Sequence, residues 1–156
     1  MLDIVLFQPE IPANTGNIIR LCANTGAHLH LIRPLGFDLD DKRLRRAGLD
    51  YYEWVNIRQH GSLGDYVEKS QPKRLFALTT KGRANYSKVR YQAGDALLFG
   101  PETRGLPAEF LAVHPAEQQL FLPMRQESRS LNLSNTVAIV LYEAWKQMGF
   151  GDALRT

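Results

Sequence analysis

One cysteine, Cys22, among 156 residues excludes an internal disulfide and any zinc site built from several thiolates, and it suits a reducing cytoplasm. No basic segment precedes an apolar stretch at the N-terminus, so no secretory signal is expected. No apolar run approaches the roughly 20 residues of a membrane span, so no membrane partner is expected either. Low-complexity tracts, internal repeats and linkers are absent, and the length suits one domain over residues 1–156. Charge of one sign is scarce too. The 19 Lys and Arg against 16 Asp and Glu leave a net +3, which permits a polyanionic partner without demonstrating one.

Several familiar catalytic signatures are missing as well. No G-x-G-x-x-G follows the first apolar run, which argues against a standard dinucleotide site. Thr79-Thr80-Lys81-Gly82 holds the letters of a phosphate-binding Walker loop in the wrong order. No G-x-S-x-G is present, and nothing pairs Ser128 or Ser130 with a histidine, so a serine hydrolase is not indicated. His28 and His30 point the same way from one strand; two histidines without a third ligand read as a half-exposed strand face, and no metal is expected.

What is present alternates between strand and helix signals. Leu2–Phe7, His28–Ile32, Tyr52–Ile57, Leu75–Leu78, Ala96–Phe99 and Leu120–Leu122 are short apolar runs bounded by Pro, Gly or polar residues. Between them lie helical stretches. Asn14 or Thr15 is expected to cap the first, and Gly26 to close it. Asp40 and Asp41 open a short basic helix ended by Gly48, Leu63–Lys69 forms another, and Pro107–Val113 a fourth. Asn132 or Ser134 starts a final helix to about Met148, with Val137, Leu141, Ala144 and Met148 as its apolar stripe. Five or six strands separated by helices imply an α/β fold, a mostly parallel sheet with helices on both faces.

In such sheets ligands sit at the carboxyl ends of strands. Three loops there are rich in polar residues. Pro12–Arg20 reads as a helix start, but Arg20 near a helix N-terminus opposes the macrodipole, which points to an anionic partner. Leu97–Pro107 sets Glu102 and Arg104 among two glycines and two prolines, a stiff loop that lets backbone approach a ligand. Leu122–Asn135 interleaves Leu131 and Leu133 with polar neighbours, as the wall of an apolar pocket would.

Together N-T-G-N-I-I-R, L-L-F-G-P-E-T-R-G-L-P and L-P-M…S-R-S-L-N-L-S-N-T-V-A-I-V-L-Y-E-A-W resemble, in order, the three signature motifs of the SPOUT methyltransferases. The likeness covers essentially the whole chain. With Asp41–Asp50 it is nearest to the bacterial enzymes that methylate the ribose of the tRNA wobble nucleotide. The resemblance implies a C-terminal trefoil knot, which physical priors alone would oppose. It implies S-adenosyl-methionine as cofactor, and a homodimer with its tRNA site across the interface. The implied substrate is the wobble cytidine or modified uridine of leucine tRNAs. By motif match, Leu78, Thr79, Gly100, Glu102, Gly105, Leu122, Met124, Ser130 and Leu131 would line the cofactor pocket. Arg20 would be catalytic, and Asn14, Asn17, Arg43, Arg45, Arg46 and Arg129 would meet the tRNA.

The chemistry suits these roles. Methylating a ribose hydroxyl is an in-line displacement that rewards positioning and water exclusion. Arginine, with a pKa above about 12, is a poor base. Orienting phosphate and stabilising a developing alkoxide needs no deprotonated guanidinium, and is the role expected of Arg20. Lys42, Arg43, Arg45 and Arg46, with Lys81, Arg83, Arg125 and Arg129, read as a solvated face unless an RNA-modifying context is granted. Two rivals remain: a non-catalytic RNA-binding module of the same fold, and a flavodoxin-like small-molecule enzyme, which would need a phosphate-binding turn where Pro9–Pro12 offers none.

Overall fold

The computed structural model describes residues 1–48 and 56–153. Its strands are β1 (Asp3–Phe7), β2 (His28–Ile32), β3 (Ile57–His60), β4 (Arg74–Leu78), β5 (Ala84–Asn85), β6 (Asp95–Phe99) and β7 (Gln119–Phe121). Its helices are α1 (Pro12–Thr25), α2 (Lys42–Gly48), α3 (Leu63–Ser70), α4 (Ala108–Val113) and α5 (Leu133–Gln147). All seven strands pair in parallel in the order β3-β2-β1-β6-β4-β7-β5.

Alternation along each strand divides the core between the sheet's two faces. Ile4, Leu6, Leu97, Phe99, Phe76 and Leu78 point to the side where Ile18 and Ile19 of α1, Leu44 of α2 and Val137, Val140 and Leu141 of α5 are buried. Val5, Ala96, Leu98 and Ala77 point to the other, against Tyr66 of α3, Leu106, and Phe110 and Leu111 of α4. Strands covered on both faces need continuous apolar runs, and the short runs in the sequence are of that kind. A charged pair marks one edge of the register. Arg74 opens β4 directly beside Asp95 of β6, donating to its two carboxylate oxygens at 2.9 and 2.6 Å.

Several local expectations need correction. Neither Asn14 nor Thr15 caps α1. The N-cap is Ile11, with Pro12 in the first helical turn, where its missing N–H costs nothing, and no side chain of the cap residue bonds the helix. The helix therefore starts earlier, and Arg20 sits more than two turns in, so the macrodipole argument for an anionic partner loses its force. Gly26 does close α1, at φ 72° with its N–H on the Cys22 carbonyl. For α5 the choice falls on Asn132, whose side chain accepts from the Ser134 and Asn135 N–H groups.

Most of the expected Tyr52–Ile57 strand lies outside the described residues; the strand seen begins at Ile57 and runs to His60. The two-residue β5 was not expected, since Ala84–Asn85 is too short to show a period. The expected half-exposed face holds for His28, at 45%, but not for its neighbour on that face. His30 is 1% exposed, and both rings converge on Asp3.

Candidate functional site

The sheet order explains why distant motifs meet. β1, β6, β4 and β7 are consecutive neighbours, so the loops after their carboxyl ends stand side by side: 8–11, 100–107, 79–83 and 122–132. These loops surround a cavity of about 810 Å³, within the range of pockets for molecules of a few hundred daltons. Leu78, Phe99, Leu106 and Leu122 supply apolar lining, while Thr79, Ser130, Asn132 and loop backbone supply polar lining.

Two glycines let the loops close. A Cβ on Gly100 would stand 2.5 Å from the Gly105 carbonyl carbon and the Leu106 nitrogen. On Gly82 it would lie 2.4 Å from the Leu120 carbonyl carbon. Real side chains do not reach such distances, so only glycine permits loop 100–105 to fold back on itself and loop 79–83 to pack on β7.

A reciprocal pair of carboxylates joins the first and second motifs. Gln8, at φ 48°, turns the chain sharply after β1. The Glu102 carboxylate then accepts from the N–H groups of Glu10 (2.7 Å) and Ile11 (3.0 Å) and from Asn14 Nδ2 (3.3 Å). It serves α1 as the cap its own sequence lacks, placing negative charge at the helix N-terminus. In return Glu10 accepts from the Thr103 N–H (3.0 Å) and hydroxyl (2.8 Å). The Thr103 N–H, then its hydroxyl, hold the Glu10 carboxyl below its usual range. The third motif joins through Asn14, whose Oδ1 accepts from Asn132 Nδ2 at 3.0 Å. Glu102, Asn14 and Asn132 thus form one hydrogen-bonded line across the three motifs.

All nine residues matched to a cofactor pocket line the cavity: Leu78, Thr79, Gly100, Glu102, Gly105, Leu122, Met124, Ser130 and Leu131. Glu102 does so with its carboxylate committed to α1. Among the residues matched to tRNA only Asn14 reaches the lining; Asn17, Arg43, Arg45, Arg46 and Arg129 lie exposed outside it. Arg20 is also exposed and outside. Six residues beyond Asn14 on one helix, it stands about 9 Å further along the axis. Two of the α2 arginines already face carboxylates, Arg43 on Asp41 at 3.0 Å and Arg45 on Asp40 at 2.7 Å. Sequence reasoning missed Glu10 and Phe99. Glu10 acts only through a turn that an ordinary glutamine makes, which no motif announces; Phe99 gave a signal, as the last residue of an apolar run before Gly100.

Comparison with known proteins settles the lineage. Residues 1–142 match the model of the SpoU rRNA Methylase family. The chain belongs to that family. A Yersinia pestis relative named tRNA (cytidine(34)-2′-O)-methyltransferase is 62% identical over 159 residues, covering 99% of this chain and 98% of its own. A solved structure described as giving structural insights into the 2-OH methylation of C/U34 on tRNA superposes with a TM-score of 0.88 at 47% identity, over 96% of this chain and 97% of that one. The SpoU methyltransferase AviRb from Streptomyces viridochromogenes, solved with AdoMet, gives 0.83 at 26% identity, over 97% of this chain and 62% of that one. Like these SpoU methylases, the chain is a methyltransferase that uses S-adenosyl-methionine. Among the described residues no helix is long and apolar enough to cross a membrane.

Proposed function

We propose that this SpoU-family protein transfers a methyl group from S-adenosyl-methionine to the ribose 2′-hydroxyl of the wobble nucleotide, cytidine or modified uridine, in leucine tRNAs of the cytoplasm. The observation that carries the reading is the single cavity on which all nine matched residues converge. Its mixture of aliphatic floor and loop backbone suits a purine nucleoside joined to an amino-acid tail. When bound there, S-adenosyl-methionine supplies an electrophilic methyl carbon on a sulfonium.

The chain's own residues do the rest. Leu78, Leu122 and Leu131 exclude water, and backbone groups of the 79–83 and 100–105 loops take the polar edges of the ligand. The Glu102–Asn14–Asn132 line holds α1 against the cavity wall, so that Arg20 is fixed relative to the methyl donor. Arg20, outside the cavity, meets the RNA: it orients a phosphate and stabilises the alkoxide developing on the 2′-oxygen. Arg43, Arg45, Arg46, Arg129 and Asn17 position the tRNA backbone without reading its bases.

The reading includes a single catalytic domain, residues 1–156, with its C-terminal part threaded as a trefoil knot. The close approach at Gly82 supports that threading, because it lays the loop after β4 directly on the backbone of β7. It also includes a homodimer with the RNA site across the interface. Ile139 and Tyr142, 39% and 43% exposed on α5, and Ile11 beside α1 are apolar surface that a second copy would cover.

Calorimetry with S-adenosyl-methionine and S-adenosyl-homocysteine tests the reading first. One site per chain for each ligand is expected. Binding of neither would leave only a non-catalytic RNA-binding module.

A further inference from the structure

Away from the cavity, at the amino ends of the strands, a second group of chemically capable side chains meets. Parallel pairing sets Asp3 of β1 opposite His28 of β2, and His30 follows on the same face two residues later. The length of β1, roughly 13 Å, separates this cluster from the loops of the methylation site. His28 Nδ1 lies 3.1 Å from Asp3 Oδ1, and His30 Nε2 lies 3.4 Å from Asp3 Oδ2. All three donor atoms fall within 4.8 Å of one another. Donors about 2.0–2.2 Å from a tetrahedral ion stand roughly 3.3 Å apart, so little movement is needed to share one.

The decisive atom is His30 Nε2. The ring is 1% exposed, yet this nitrogen makes no hydrogen bond among the described residues. Its other nitrogen, Nδ1, lies 2.9 Å from His60 Nε2. When His30 donates that proton, Nε2 presents a bare lone pair to the Asp3 carboxylate in a buried position. Lone pair and carboxylate then face each other with nothing between them, an arrangement that a cation resolves.

The surroundings fit a built ligand set. The Tyr66 hydroxyl donates to Asp3 Oδ2 at 2.9 Å, and the rings of Tyr66 and His60 pack on His30 with centroids 4.8 and 5.2 Å away. Metal-binding histidines and carboxylates are commonly held in this way, through the atoms that do not touch the ion. His28 is 45% exposed, which leaves a path for entry and room for water to complete the sphere.

We propose that Asp3, His28 and His30 bind one divalent first-row transition ion of the zinc class, with His60 and Tyr66 as its outer supports. Imidazole and carboxylate donors suit such ions. The ion would tie the start of β1 to β2, and through His60 to β3, and so act on stability.

The test uses the full chain without an affinity tag, stripped with chelator. Zn²⁺ is added by calorimetry and in thermal melts, and Co²⁺ is followed by visible absorption. One ion per chain, a raised Tm and the d–d bands of a low-symmetry site are expected. His28→Ala removes a half-exposed ring, so the chain should fold; its Zn²⁺ affinity should drop tenfold or more and its thermal shift vanish. Asp3→Asn keeps an acceptor for Tyr66 and should lose binding likewise, while His60→Gln should weaken it by about ten- to a hundredfold. His114→Gln, at the C-cap of α4 and outside this cluster, should leave Zn²⁺ affinity unchanged. Failure to bind Zn²⁺ at an excess of ion over protein, undiminished binding by His28→Ala, or loss of binding in His114→Gln would overturn the proposal.

Discussion

At the scale of single residues, the site divides into groups that would touch ligand and groups that hold others in place. In the proposed mechanism Arg20 belongs to the first. Arg20→Ala should keep cofactor affinity within a few fold while methyl transfer drops by about 10² or more, the usual loss when one transition-state donor is removed. Arg20→Lys should rescue little, because the planar fork is gone. Cofactor titration beside single-turnover kinetics at saturating tRNA checks both. Glu10 belongs to the second group. Its carboxyl is held below the ordinary range by Thr103. The contribution to stability is therefore complete above the unfolded carboxylate pKa, about 4.3, and is lost as pH falls through the lower folded value. Glu10→Gln should be the less stable protein at neutral pH, and the gap in Tm should close as melts are taken into that acid window. The case for Arg20 rests on its motif alone; the reason offered from helix polarity does not hold, because α1 begins at Pro12. The work of Glu102 was not legible, because a cap supplied from 91 residues away leaves no local pattern.

Elements were read well wherever a period or a stop signal existed. β2 was bounded by Pro34, α1 closed at Gly26, and α5 was visible from its stripe, with Val140 added beside Val137, Leu141 and Ala144. For the glycines inside loops the structure gives a different physical basis from the one expected. Gly100 was expected to make room for a ligand; the nearest obstruction to a side chain there is the loop's own backbone at Gly105 and Leu106. Gly100→Ala should accordingly spring the loop and weaken S-adenosyl-homocysteine binding by tenfold or more. Gly105→Ala meets nothing within 4 Å and only strains a residue at φ 68°, costing about 1–2 kcal/mol of stability with a smaller effect on the ligand. Isothermal titration and urea melts of the pair separate the two causes. Equal losses of affinity would show that the contact at Gly100 does not set the loop.

For the molecule as a whole, the sheet order is what sequence could not supply. Runs of four or five apolar residues identify strands, but neighbours are chosen by packing and connection, and β1 pairs with β6 across some ninety residues of chain. That pairing carries the first motif to the second. Charge acts at the same scale. Asp41 and Asp40 already face Arg43 and Arg45, so α2 is less bare than its four basic residues suggest. Arg43→Ala with Arg46→Ala should still reduce the logarithmic salt slope of tRNA binding by roughly 1 to 2, with cofactor affinity unchanged; an unaltered slope would make α2 a solvated face.

The central claim is that one cavity and one arginine act together on a ribose hydroxyl. Its most direct test supplies purified protein with methyl-labelled S-adenosyl-methionine and an unmodified leucine tRNA, then digests the product to nucleosides and maps the label. The account predicts 2′-O-methylcytidine or its uridine counterpart at the wobble position, approaching one methyl per tRNA. Label on a base, label elsewhere in the tRNA, or no transfer by a protein that binds the cofactor would contradict it.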